Sequence, residues 1–212
     1  IYALPKTDGN HPFEDRDEVQ EIYATWREVF NEYDPPRVAV AEAWVMDPAR
    51  RYRYASPNGL GQSFNFDLLR ADYDAPTFKA IVEGNLAEAA KQGASITWVL
   101  SNHDVIRHAT RYGLGDKLPD EPHTGRNWLL EGGKRDAVDV ERGERRARAA
   151  TMMLLGLPGA MYIYQGEELG LQEHGELADA DRQDPTFFRN PMDVGRDGCR
   201  VPLPWSGNQV PF

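Results

Sequence analysis

The stretch Ser95-Ile96-Thr97-Trp98-Val99-Leu100-Ser101-Asn102-His103-Asp104 changes from apolar to polar within one short segment. Its apolar part is rich in β-formers and does not alternate with polar residues, which is typical of a strand covered on both faces, as in a parallel sheet. Asn102, His103 and Asp104 then follow without a spacer, and burying a carboxylate without partners is costly. We therefore expect this triplet where the strand leaves the core, at the edge where parallel α/β proteins bind their ligands.

Other segments of the chain make the same change from apolar to polar. They are 37–41 before Glu42, 62–66 before Asp67, and 160–164 before 165–168. A single strand that ends in an acidic residue carries little information. Several such strands predict one polar rim along a shared edge of a sheet.

The composition limits the classes of partner. The 212 residues carry a formal net charge of -10 with a pI near 5.0, which argues against nucleic acid or an anionic membrane as the main partner and is compatible with a neutral substrate. No apolar run is long enough to span a bilayer. Cys199 is the single cysteine, so an intrachain disulfide cannot form, and a reducing, cytoplasmic location fits.

Hydrophobic periodicity and turn residues predict an alternation of helices and strands. Helices are predicted at 17–33, 76–92 and 139–155, with a short one possible near 68–73, and strands at 38–42, 63–67, 97–100 and 160–164. Gly93 is a predicted helix C-cap and Asp139 a predicted N-cap. Residues 50–61 are predicted to be a loop, 108–138 a long irregular segment, and 171–212 another.

The alternation predicts an α/β fold with parallel strands and right-handed crossovers. A closed (β/α)₈ TIM barrel needs eight strands, and four are visible here. The chain also begins without methionine. We expect residues 1–212 to be the later four βα units of a larger catalytic domain, with 171–212 as a post-barrel loop segment lining the site. The remainder of the barrel is then a required partner.

Two carboxyl groups at the predicted rim have different surroundings. Glu42 is close to Trp44, and an indole that desolvates a carboxylate favours its protonated form, as a general acid requires. Asp104 is expected to stay ionised beside His103 and Arg107, on a strand next to that of Glu42. Paired carboxyls in unlike environments are the pattern of glycoside hydrolysis. The alternative for Glu42 is a glutamate at a strand end in a salt bridge.

Asn102-His103-Asp104 also has alternative interpretations. The triplet can be a hydrogen-bonded loop corner. A metal site is a weaker interpretation, because no second histidine lies at ligand spacing, and we predict no metal and no cofactor.

Four segments carry a resemblance to a known family. Val40-Ala41-Glu42-Ala43-Trp44 and Leu100-Ser101-Asn102-His103-Asp104 resemble two motifs of the α-amylase superfamily, glycoside hydrolase family thirteen. The segments 162–170 and 195–205 resemble the eighth-strand segment and the segment after it in the oligo-1,6-glucosidase and α-glucosidase branch. All four occur in the family's order.

The resemblance implies a role for individual residues. Glu42 would be the general acid/base, and Asp104 would stabilise the oxocarbenium-like transition state. His103 would bind the sugar by a hydrogen bond, and Arg200 would close a pocket around its non-reducing end. Arg107 would support substrate binding as an ion-pair partner.

One departure from the family pattern limits what the chain can do. The family's nucleophile is an aspartate in a fourth-strand motif, with an arginine two residues before it, and no such motif occurs here. A retaining glycosidase needs a nucleophile about 5 Å from its acid/base. We therefore expect this chain to be inactive alone and its full-length parent to be active.

The resemblance leaves the reaction open between three hypotheses. The first is retaining, α-glucosidase-type hydrolysis of α-linked glucosides and short oligosaccharides by the full-length parent. The second is a transglycosylase or sugar isomerase of the trehalose synthase or sucrose isomerase type. The third is a non-catalytic ancillary domain of the same fold, against which the intact Glu42, His103 and Asp104 count.

Overall fold

The computed structural model describes residues 14–45, 47–115 and 125–204. Its backbone contacts divide the chain into two compact units. The first unit is Ile1–Phe66, Lys79–Trp98 and Pro158–Ala160, and the second is Asp67–Phe78, Val99–Leu157 and Met161–Phe212. The prediction of one half-barrel domain over 1–212 with a site-lining segment at 171–212 stays a prediction, and its last residues, 205–212, lie outside the described ones.

Helices and short strands alternate along the chain. The helices are α1 (Asp17–Phe30), α2 (Pro48–Ala55), α3 (Asp67–Arg70), α4 (Ala75–Gln92), α5 (His108–Arg111), α6 (Arg126–Leu130), α7 (Val140–Leu155) and α8 (Pro185–Arg189). The strands are β1 (Ala39–Ala41), β2 (Gly61–Asn65), β3 (Thr97–Trp98) and β4 (Ala160–Met161). Gly93 follows α4 with a φ of +59°, and the Asp139 side chain accepts a hydrogen bond from the Arg142 N–H at the start of α7, so both predicted caps are confirmed.

The strands form one sheet in the order β1-β2-β3-β4. Ala39 of β1 pairs in parallel with Gly61 of β2, and Phe64 of β2 pairs in parallel with Thr97 of β3. The parallel sheet confirms the predicted α/β class. The expectation that Glu42 and Asp104 follow adjacent strands is wrong, because β2 lies between β1 and β3.

The predicted loop at 50–61 is wrong, because α2 occupies much of it. Asp47 Oδ1 accepts hydrogen bonds from the N–H groups of Ala49 (2.9 Å) and Arg50 (3.3 Å), and Pro48 stands in the first turn. An aspartate N-cap followed by proline is a strong helix start. The Asp47-Pro48 pair was therefore a readable signal that the polar composition of the segment concealed.

The first unit packs an apolar cluster between α1, α2 and β1. Its buried members are Ala41, Val45, Tyr54 and Leu60. Not every apolar residue of α1 is covered, since Trp26 is 48% exposed and Val29 50% exposed. Arg27 is instead the buried residue of that helix, and its guanidinium donates to the carbonyl oxygens of Gly59 (2.8 Å) and Arg37 (2.8 Å).

A buried polar cluster in the same unit is centred on Asn85. Asn85 Oδ1 accepts from Tyr52 Oη at 3.0 Å, from Arg51 Nη2 at 3.2 Å, and from Asn65 Nδ2. Its own amide donates to the Ile81 carbonyl at 2.9 Å. Because Asn65 and Asn85 are almost fully buried, this amide fixes how α4 and α2 meet the end of β2.

The second unit packs a separate apolar cluster. Its buried members are Ile106, Leu114, Trp128, Leu129 and Val194. In this unit α7 crosses close to α5 at Gly143, where a Cβ atom would lie 2.2 Å from the Ala109 carbonyl oxygen. Helix α5 and helix α6 also show that the segment 108–138 is more regular than predicted.

In the part of the chain that the structure describes, no helix combines the length and the apolar character needed to cross a membrane.

We predict that Asn85→Ala lowers the free energy of unfolding by about 2–3 kcal/mol, because buried donors from three residues lose their acceptor. Urea unfolding followed by circular dichroism measures this change. Glu83→Ala on the exposed face of α4 is the matched control and is expected to stay within about 0.5 kcal/mol of the wild type. Equal effects of the two substitutions would contradict the structural role of Asn85.

Candidate active site

In the first unit, Glu42 comes directly after the last residue of β1. Its side chain is exposed in the described structure, so the predicted desolvation by Trp44 is not observed and that expectation is wrong. The backbone turns immediately afterwards, with the Val45 N–H donating to the Ala43 carbonyl at 3.0 Å. Glu42 is therefore placed at a strand end, as predicted, with its carboxylate free to meet a ligand.

Trp44 is engaged by a neighbouring ring and not by Glu42. Its indole stacks on Phe66 with ring centroids 4.3 Å apart and an interplanar angle of 24°. Phe66 follows β2 and stacks in turn on Phe64 at 5.7 Å. Trp44 is nevertheless 49% exposed, so an aromatic face stands at the same strand ends as Glu42.

In the second unit, Asp104 is fixed by a local turn. The Asn102 side-chain oxygen accepts a hydrogen bond from the Asp104 N–H at 2.8 Å. This side-chain-to-backbone bond is the loop corner that the sequence offered as an alternative. The corner and a functional role are compatible, because the turn holds the backbone while leaving the Asp104 carboxylate 29% exposed.

Two arginines lie on one oxygen of that carboxylate. Arg196 Nη1 donates to Asp104 Oδ1 at 2.7 Å, and Arg200 Nη2 donates to the same oxygen at 3.0 Å. Arg200 also donates from Nε to the His103 carbonyl at 2.8 Å. The cationic partners of Asp104 are therefore Arg196 and Arg200, and the expectation that Arg107 would be its partner is wrong.

Arg196 also forms hydrogen bonds with Asp184. Arg196 Nε donates to Asp184 Oδ2 at 2.7 Å, and its backbone N–H donates to the same oxygen at 2.9 Å. These bonds hold the pKa of the buried Asp184 carboxyl far below its usual range. Arg196 is not among the predicted site residues, although the succession Gly195-Arg196-Asp197 in the segment 195–205 was a visible signal.

His103 stands beside the other oxygen of Asp104. Its Nε2 lies 3.6 Å from Asp104 Oδ2, and the imidazole is 53% exposed. The ring is therefore accessible to a ligand, as the predicted sugar-binding role needs.

Arg107 occupies a different kind of position from the one predicted. It is buried to 1% exposure, and its guanidinium donates to the carbonyl oxygens of Gln165 (2.8 Å) and Cys199 (2.9 Å). The same group lies 5.1 Å from the centroid of the Tyr164 ring. Arg107 therefore links three loop segments of the second unit and presents no charge on the surface.

The charges around Asp104 bear on what it can bind. Its Oδ2 atom and the adjacent His103 imidazole remain available for hydroxyl groups. A carboxylate fixed by arginines and flanked by an imidazole can orient a polyhydroxylated ligand and stabilise positive charge that develops on it.

The chain resembles a family of known catalytic domains. Residues 133–211 match the model of the alpha amylase catalytic domain. This match covers the part of the chain that contains Arg196 and Arg200, and it does not include Glu42, His103 or Asp104.

Curated relatives extend the similarity over most of the chain. A Rhizobium meliloti protein named probable alpha-glucosidase is 32% identical over 90% of this chain and 30% of its own length. Maltase 1 of Drosophila virilis is 28% identical over 85% of this chain and 26% of its own. An oligo-1,6-glucosidase of Heyndrickxia coagulans is 24% identical over 86% and 34%. The chain thus spans about a third or less of the length of these relatives.

Solved structures share the fold. The alpha-glucosyl transfer enzyme XgtA superposes with a TM-score of 0.68 at 30% identity, covering 90% of this chain and 31% of its own. Trehalose-6-phosphate hydrolase of Bacillus licheniformis gives a TM-score of 0.60 at 26% identity, covering 95% and 38%. The matched domain and the relatives therefore show that this chain is similar to the α-amylase family, and the relatives include a probable α-glucosidase, a maltase and an oligo-1,6-glucosidase.

Proposed function

We propose that the protein hydrolyses α-linked glucosides and short oligosaccharides with retention of configuration. The observation that carries this proposal is the arrangement at Asp104, where Arg196 and Arg200 bind one carboxylate oxygen at 2.7 and 3.0 Å and His103 stands beside the other. In this proposal Asp104 stabilises the oxocarbenium-like transition state. The glucosidase and maltase relatives support the choice of α-glucosides as substrates.

The two arginines give Asp104 a fixed orientation before substrate arrives. Electrostatic stabilisation is most effective when the charged group does not have to reorganise during the reaction. Arg196, bound on its far side by the buried Asp184, cannot follow the carboxylate outward. Asp104 then meets the developing positive charge with Oδ2, the oxygen that the arginines leave available.

Glu42 is proposed as the general acid/base. It would donate a proton to the glycosidic oxygen as the bond breaks and then remove a proton from the attacking water. Its position directly after β1 supports this role, because β1 and β3 are parallel to β2 and their C-terminal ends point to the same edge of the sheet. An exposed carboxylate at that edge can reach a substrate.

The remaining predicted residues receive supporting roles. His103 donates a hydrogen bond to a sugar hydroxyl, and Arg200 borders the non-reducing end of the sugar. Arg107, because it is buried, positions the loops and does not contact substrate. The nucleophile would come from the remainder of the barrel, so the proposed active species is the full-length protein and this chain alone is inactive.

Glucosyl transfer is the second candidate function. It is favoured by the similarity to XgtA, an alpha-glucosyl transfer enzyme. Hydrolysis and transfer share a glycosyl-enzyme intermediate and differ in whether water or a sugar accepts it. The residues around Asp104 serve both reactions equally, so only the products separate them.

Product analysis of the full-length protein tests the choice between the two reactions. We expect maltose and isomaltose to give glucose as the main product at low substrate concentration. Chromatography of samples taken over time measures the products. Accumulation of new disaccharides or trisaccharides from the first minutes, with little free glucose, would instead establish transfer. Sucrose converted to an isomer with no net hydrolysis would establish an isomerase.

We predict that Glu42→Gln in the full-length protein lowers the rate on maltose by about 10²–10⁴-fold, because the departing sugar loses its proton donor. The loss is expected to be much smaller on an aryl α-glucoside, whose leaving group needs little protonation. Added azide, which needs no general base, is expected to restore turnover and give α-glucosyl azide, detectable by NMR. Glu32→Gln, an exposed glutamate of the same unit, is the control, and near-normal maltose hydrolysis by Glu42→Gln would remove Glu42 from this role.

We predict that Asp104→Asn lowers kcat/KM by at least about 10²–10³-fold, since the amide cannot balance positive charge in the transition state. The free energy of unfolding is expected to change by no more than about 1 kcal/mol, because the amide oxygen still accepts hydrogen bonds from the two arginines. Steady-state kinetics and thermal unfolding measure the two effects separately. Asp179→Asn, on an exposed turn, is the control; a variant that unfolds while its residual folded fraction keeps full activity would assign Asp104 to structure.

A further inference from the structure

The two arginines that bind Asp104 lie at the ends of one short segment, residues 196–200, called here the 196–200 turn. Hydrogen bonds to its main-chain carbonyl oxygens hold this turn in place. The Cys199 carbonyl accepts from Arg107 Nη2 at 2.9 Å and from Tyr164 Oη at 2.9 Å, and the Gly198 carbonyl accepts from the His174 N–H at 3.2 Å. The position of this turn therefore decides whether both guanidinium groups reach Asp104.

A buried carboxyl, Glu173, touches both sides of this arrangement. Its Oε2 accepts a hydrogen bond from the Arg107 N–H at 2.9 Å, and its own N–H donates to Thr110 Oγ1 at 2.7 Å. Its Oε1 lies against Gly198, where a Cβ atom would come within 2.6 Å of that oxygen. Any change in the charge of Glu173 is thus felt at Arg107 and at the turn together.

We propose that Glu173 is a positioning residue that holds the 196–200 turn, and with it Arg196 and Arg200, against Asp104 while its carboxyl is neutral, and that ionisation of Glu173 loosens the turn. This inference rests on the proposed function only in treating Asp104 as the residue that the turn serves. The contacts that hold the turn are independent of that assignment.

The charges facing Glu173 support a neutral form. Burial raises its pKa from the ordinary 4.5 to about 7, although the hydrogen bond and the positive charge of Arg107 act in the opposite direction. Among the residues that the structure describes, Cys199 also faces it, and burial followed by the charge of Glu173 raises the pKa of that thiol to about 12. One cation and one neutral thiol therefore do not compensate for the loss of water around an ionised carboxylate.

The direction of the pH effect follows from the raised pKa. A carboxyl whose pKa is higher when the turn is held favours the held state at low pH. That contribution is complete below the ordinary pKa of 4.5, falls as the pH rises, and is lost above about 7, where the held state also ionises. The turn is therefore expected to be held in acid and to open more often in mild alkali.

Cys199 reports directly on this opening. It is fully buried in the middle of the turn, its Sγ lies 3.4 Å from the His103 carbonyl oxygen, and it is the single cysteine of the chain. A thiol reagent can reach it only when the turn leaves its place. The rate of modification thus measures the open fraction without any sugar or turnover.

The test compares alkylation of Cys199 by iodoacetamide in the full chain with that in Glu173→Gln, from about pH 6 to about pH 8.5, with peptide mass spectrometry to identify the modified residue. Dividing the wild-type rate by the variant rate at each pH removes the intrinsic ionisation of the thiol. We expect this ratio to rise about tenfold across the range, as a shift of the pKa from 4.5 to 7 requires. Glu144→Gln, an exposed glutamate on α7, is the matched control and is expected to follow the wild type.

A ratio that stays constant over this range, or a variant that is modified faster than the wild type at every pH, would overturn the proposal. If Glu173→Gln does not fold, the wild-type rate in buffer is divided by its rate in concentrated urea at the same pH, and the same tenfold rise is expected. The result is separable from the proposed function. If turnover depends on Glu42 but the ratio of alkylation rates does not change with pH, only the role of Glu173 is overturned. If the ratio rises with pH but turnover does not depend on Glu42, only the proposed reaction is overturned.

Discussion

The ion pair between Arg196 and Asp104 is the interaction on which the candidate site depends. It joins two segments that are 92 residues apart in the chain, at a donor-to-acceptor distance of 2.7 Å. An exposed ion pair of this kind contributes little to stability. Its value lies in orientation, because Asp184, buried behind Arg196, turns a flexible arginine into a fixed support. The Asp104 carboxylate is thereby oriented by the protein itself, before any ligand binds.

The sequence predicted the features that depend only on neighbouring residues in the chain. Apolar runs followed by polar residues predicted where each strand lies, although every strand ends one to three residues before its predicted end. Gly93 and Asp139 marked helix ends by their backbone requirements. The motifs around Glu42 and Asp104 follow β1 and β3 of the parallel sheet, so their placement after strands was predictable, and their chemical roles stay predictions.

The parts that escaped prediction depend on contacts between distant segments. Arg107 looked like a partner for Asp104 because it is near in sequence, but the chain turns it inward to the carbonyl oxygens of Gln165 and Cys199. Arg196 and Glu173 lie in the long irregular segment 171–212, and their contacts depend on where this segment packs against the rest of the second unit. Hydrophobic periodicity does not predict that packing. The buried Arg27 shows the same limit in the first unit, since its guanidinium serves main-chain carbonyls that no pattern in α1 indicates.

Two buried carboxyl groups of the second unit, those of Asp184 and Glu173, have pKa values shifted in opposite directions by their surroundings. Asp184 is surrounded by N–H donors and a guanidinium, which hold its pKa far below the usual range, whereas burial raises that of Glu173 to about 7. Asp184 therefore stays ionised over the pH range in which Glu173 titrates, and its hold on Arg196 does not vary there. Glu173 changes charge near neutrality, so the contact that can respond to pH lies under the turn and not at the ion pairs. Since Asp184 contacts the 196–200 turn at Arg196 and Glu173 contacts it at Gly198, the orientation of Asp104 has a constant component from Asp184 and a variable one from Glu173.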